Sequence, residues 1–122
     1  MTRYVSALAA IGAMFALAAP AYAHAMLDRA TPAVGAVVRA APSEIRLQFS
    51  QGVEASLSRV SVADAGGKSV PLGPATTAKN DRRVLVAPLP TSLVSGGYRV
   101  TWRVVSTDGH VSQGDFSFTV KP

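Results

Sequence analysis

Residues 44–50 (EIRLQFS) alternate strictly between apolar and polar side chains. Ile45, Leu47 and Phe49 point one way, and Glu44, Arg46, Gln48 and Ser50 the other. That period of two is the signature of a half-buried strand. The longest alternation runs over residues 98–104, with Tyr98, Val100, Trp102 and Val104 inward and Arg99, Thr101 and Arg103 outward. Val60 and Val62 alternate within a strand predicted over 57–63, which a turn at Asp64-Ala65-Gly66-Gly67 ends. Residues 83–87 form a short apolar strand stopped by Pro88 and Pro90, and Phe116, Phe118 and Val120 mark the last strand. Shorter candidates lie at 25–30, 34–38 and 68–72, while 73–81 (GPATTAKND) reads as a polar, mobile loop. No window of helical length carries a 3.6 period, and prolines at 32, 42, 71, 74, 88 and 90 interrupt any long helix. The expected fold is therefore all-β, a small Greek-key sandwich or barrel of about seven strands. There is no internal repeat and no domain linker.

The first 23 residues follow a different pattern. Arg3 is followed by an uncharged apolar run over 5–19, then Pro20, then Ala21-Tyr22-Ala23. A basic start, a run of that length and an A-x-A site make a secretory signal peptide. A membrane-spanning helix would need about 20 apolar residues. The expectation is cleavage after Ala23, leaving residues 24–122 as one exported, soluble β-domain that begins at His24. The alternative is an uncleaved N-terminal anchor.

Composition narrows the chemistry. The 122-residue chain has no cysteine, which excludes disulfide scaffolds, iron–sulfur sites and thiol enzymes. Its core must therefore be built from packing alone, which is feasible at this size. The formal net charge is +5, and Lys79, Arg82 and Arg83 form a small basic run. No basic stripe with interleaved aromatics accompanies it, so a solvated face is the better reading and no nucleic-acid partner is expected. No G-x-S-x-G or S-x-x-K motif occurs, and a serine triad has no obvious base.

Only two histidines occur, at 24 and 110. Cleavage after Ala23 would give His24 a free α-amine, which can chelate a metal together with the imidazole Nδ1. His110 stands in Thr107-Asp108-Gly109-His110, where Asp108 and His110, two apart, project to the same side of an extended segment. Three nitrogens and one carboxylate oxygen, without sulfur, suit Cu(II) in a tetragonal arrangement; Zn(II) or Ni(II) could also bind. The metal candidates are thus His24, Asp108 and His110. Taken singly, each feature is more often an exposed terminal residue or an ordinary turn. Nothing in the sequence places the two ends together.

These blocks resemble the CopC family of exported copper-binding proteins. The resemblance covers nearly all of 24–120: His24-Ala25-Met26-Leu27, Thr31-Pro32-Ala33-Val34-Gly35-Ala36, Ala41-Pro42, residues 45–50, residues 97–106 leading into Asp108-Gly109-His110, and Gly114-Asp115-Phe116-Ser117-Phe118. It implies a cupredoxin-like β-fold and one Cu(II) per chain, held by the His24 amine and imidazole, Asp108 and His110. It also implies a periplasmic carrier or buffer in copper homeostasis or resistance, working beside a CopD-type membrane copper transporter. The expected state is a monomer without enzymatic activity. Two departures from the family stand out. Methionine-rich loops serve Cu(I) in some members, but Met26 alone remains after cleavage and 70–81 has none. Gln51 replaces the usual Glu near the Cu(II) site, so its contribution as a weak ligand or hydrogen-bond partner is open.

Trp102 reads as core. Asp115 reads as a solvated acid rather than an orienting partner of His110, and Asp28 similarly. Two other functions compete. One is a copper-dependent oxidative enzyme with an N-terminal His site, for which this domain offers little substrate platform. The other is a non-metal structural β-domain with incidental histidines.

Overall fold

The computed structural model describes residues 25–122; the expected leader and His24 lie outside the described residues. Among the described residues nine strands form, in the order β1 (Leu27–Thr31), β2 (Val37–Val38), β3 (Glu44–Phe49), β4 (Arg59–Asp64), β5 (Ser69–Val70), β6 (Thr76–Ala78), β7 (Asp81–Pro88), β8 (Gly96–Val105) and β9 (Val111–Val120). They build one sheet ordered β1-β3-β7-β6 and another ordered β2-β9-β8-β4-β5. Each sheet keeps two edge strands, so the molecule is a sandwich and not a closed barrel.

The core lies between the sheets. Ile45, Leu47 and Phe49 of β3 face Val100, Trp102 and Val104 of β8, all buried as their alternation requires. Phe49 meets Trp102 edge-on, with ring centroids 5.2 Å apart and planes at 70°, a favoured aromatic geometry. Tyr98 stacks on Phe118 at 5.5 Å, and its hydroxyl donates to the Val94 carbonyl at 2.6 Å.

The structure corrects several boundaries. Residues 73–81 hold the short strand β6, which pairs with the edge of β7, and so are not a loop throughout. Residues Ala55–Leu57 form a single 3-10 turn, so β4 starts two residues beyond Leu57, whose side chain is exposed. The last strand begins at Val111, five residues earlier than Phe116, and pairs with β8 over ten consecutive positions. Its first half shows no apolar alternation because its inward positions carry Ser112 and Gly114. Gly114 lies opposite Trp102, and the indole lies against it: a Cβ added there would stand 2.6 Å from Trp102 Cζ2.

That close approach makes Gly114 a packing requirement. Gly114→Ala forces the indole to shift, and overpacking of this kind costs about 1–3 kcal/mol. Urea unfolding is expected to show the corresponding fall in midpoint; an unchanged midpoint would mean that the indole does not rest there.

Candidate metal centre

The β8–β9 connection is a tight hairpin over residues 106–110. The Ser106 N–H donates to the His110 carbonyl at 2.8 Å, and the Gly109 N–H to the Ser106 carbonyl at 2.8 Å. Gly109 takes φ +90, a conformation that side-chain-bearing residues adopt only with strain. Asp108 and His110 therefore emerge on one side of the turn, with Asp108 Oδ1 3.1 Å from His110 Nδ1. Both side chains are about half exposed, at 47% and 48%.

Ser106 is fully buried, and among the described residues it is the one polar residue, apart from the core aromatics, that is buried as a whole. Its hydroxyl donates to Asp108 Oδ1 and accepts from the His110 N–H at 3.2 Å. Hydrogen bonds from Ser106 and then His110 hold the Asp108 carboxyl below its ordinary pKa. The sequence reading missed Ser106, although it occupies the next inward position after Val104.

A short strap joins this hairpin to the start of the domain. Ser50 pairs with Met26 in both directions: its N–H donates to the Met26 carbonyl at 2.8 Å, and its Oγ accepts from the Met26 N–H at 2.8 Å. Two residues on, the Gly52 carbonyl accepts from the Thr107 N–H at 2.9 Å, and the Glu54 N–H donates to the Val105 carbonyl at 2.8 Å. Val53 bridges Ser106. Ala25, Met26 and Leu27 consequently line an open groove of ≈ 480 Å³ together with Trp102, Val111, Ser112 and Gln113. Ala25 thus lies beside the strand that follows His110.

Of the three expected ligands, the structure brings Asp108 and His110 together, while His24 lies outside the described residues. Among the described residues no group of three or more His, Cys, Asp or Glu side chains could hold a metal; the hairpin brings two such side chains together. Gln51 sits partly buried in the strap, beside both segments. Asp115 is exposed and turned to Arg99, with Arg99 Nη1 donating to its carboxylate at 2.7 Å, five residues along β9 from His110. Asp28 is likewise exposed. Trp102 is core, 8% exposed, although its Nε1 and the Ser112 hydroxyl are buried without a hydrogen-bond partner.

The left-handed Gly109 can be tested directly. Gly109→Val places a β-branched residue at positive φ, and a loss of at least about 1–2 kcal/mol in denaturant unfolding is expected.

The model of the CopC domain matches residues 27–121. Protein YobA of Escherichia coli strain K12 is 41% identical over 100 residues, covering 82% of this chain and 81% of that protein. Two solved structures are similar. CopC from Methylosinus trichosporium OB3b has TM-score 0.76 and 37% identity, covering 81% of this chain and 95% of the other. PcoC from Escherichia coli, described as a methionine rich copper resistance protein, has TM-score 0.73 and 30% identity, covering 81% and 100%. In family model, sequence and fold alike, this chain belongs to the CopC family.

Proposed function

We propose that the chain, cut after Ala23, is a periplasmic Cu(II)-binding protein that carries or buffers copper in homeostasis or resistance. One Cu(II) per chain is its cargo, held by the His24 α-amine and imidazole, His110 and Asp108. The observation that carries this reading is the hairpin that pairs Asp108 with His110 at 3.1 Å, on the end of the sandwich where the strap also anchors Met26. The similarity to PcoC, a copper resistance protein, supports the choice of metal.

The donor chemistry fits. A carboxylate at Asp108 Oδ1 can only accept, so His110 carries its proton on Nδ1 and offers Nε2 to a metal. Imidazole nitrogen, amine nitrogen and carboxylate oxygen favour Cu(II), which stands above Ni(II) and Zn(II) in affinity for such ligands. Binding needs no catalytic group, and the protein acts without enzymatic turnover, as a monomer passing copper to a CopD-type membrane transporter. Because His24 gains its amine only on cleavage, the precursor lacks a complete site. No helix among the described residues is long and apolar enough to cross a membrane.

A Cu(II) titration with electron paramagnetic resonance tests the site. Protein beginning at His24 is expected to take one tight equivalent with a three-nitrogen tetragonal signal. Protein with one extra residue ahead of His24 is expected to lose it. Equal, weak binding in both would overturn the copper reading.

Fluorescence offers an independent check, because Trp102 is the sole tryptophan and shares its groove with Ala25 and Val111. Cu(II) is expected to quench its emission in a 1:1 titration, whereas Zn(II), which lacks unpaired electrons, leaves the emission largely intact. Unquenched emission at full Cu(II) occupancy would put the metal elsewhere.

A further inference from the structure

A buried hydroxyl is costly unless it is hydrogen-bonded within the protein. Ser106 has one proton and two lone pairs. Two acceptors compete for the proton: Asp108 Oδ1 and, at 3.2 Å, the His110 carbonyl. The ionised carboxylate is the stronger acceptor, so the proton goes to Asp108. One lone pair accepts from the His110 N–H. Asp108 Oδ1 in turn accepts from His110 Nδ1. Ser106, Asp108 and His110 thereby close a ring of hydrogen bonds within five residues.

Only one member of that ring is fixed by the interior. Asp108 and His110 are half exposed and have rotamers to lose on binding a metal. Ser106 is immobilised by its complete burial, by its bridge to Val53 and by its backbone bond to His110.

We propose that Ser106 is a positioning residue of the copper site: its hydroxyl fixes the Asp108 carboxylate, and through it the tautomer and orientation of the His110 imidazole. Ser106 does not itself touch the metal. Its role is to pay the ordering cost of an exposed Asp–His pair before copper arrives. This inference rests on the copper reading above.

The test uses protein beginning at His24, with Ser106→Ala, Asp108→Asn and the double variant compared in Cu(II) affinity and paramagnetic resonance. Outer partners of metal ligands are typically worth about 10–100-fold in affinity. Ser106→Ala is expected to weaken Cu(II) by that factor and to alter the copper hyperfine splitting. In the Asp108→Asn background the same change is expected to add little, because Ser106 acts through Asp108. Losses that multiply in the double variant, or wild-type affinity and spectrum in Ser106→Ala, would overturn the proposal. A measurement on the unmutated, metal-free protein guards against a variant that fails to fold. Nitrogen-15 spectra of the neutral His110 ring are expected to show the Nδ1–H tautomer, and a dominant Nε2–H tautomer would overturn the proposal. If wild-type protein binds no copper, the copper reading falls, while the tautomer still reports whether the hydrogen-bond ring exists.

Discussion

The candidate site depends on the few backbone hydrogen bonds made by residues 50–54. Leaving β3, this segment is bound first to Met26 and then to Thr107 and Val105, so it ties the first strand of one sheet to the hairpin of the other. Without it the two ends would be separate features of opposite sheets. Backbone bonds suit this task, because they set position without demanding particular side chains and remain good only over a narrow range of distance and angle. Gly52 is part of the fit: an added Cβ would come within 3.2 Å of Thr107 Cγ2.

The core and the candidate site occupy different parts of β8 and β9. One face of the ladder supplies Tyr98, Val100, Trp102, Val104, Phe116, Phe118 and Val120 to the core. The far end supplies the hairpin. With no cysteine to staple the chain, the interlocking of β3 with β8, centred on Phe49 and Trp102, takes the place of a covalent link between sheets. Surface ion pairs such as Arg46–Glu44 and Arg83–Asp81 span exposed side chains and add little to this.

What the sequence disclosed follows from where side chains alternate. β3 and β8 were readable because every inward position is large and apolar. β6 was not, since Thr76-Thr77-Ala78 has no such contrast and pairs only because the β7 edge accepts it. The first half of β9 was hidden because the Trp102 indole fills the space that a side chain at Gly114 would need. Within the candidate site, the closeness of Asp108 and His110 was legible from their spacing. Ser106 was not, because a serine after an apolar run looks like the end of a strand. Only its parity with Val104 signals that it faces inward. The convergence of Met26 and the hairpin is a long-range fact that no local pattern carries.

The continuous register of β8 against β9 also constrains how the hairpin between them can vary. Side chains on a strand alternate between faces, so adding or deleting one residue between Ser106 and Val111 would turn Phe116, Phe118 and Val120 toward solvent unless a bulge absorbed the change. Loop length is thus constrained by the packing of the core. Natural variants of this hairpin should differ by substitution while keeping its length, and a graft onto another β-scaffold must bring the parity of both strands with it.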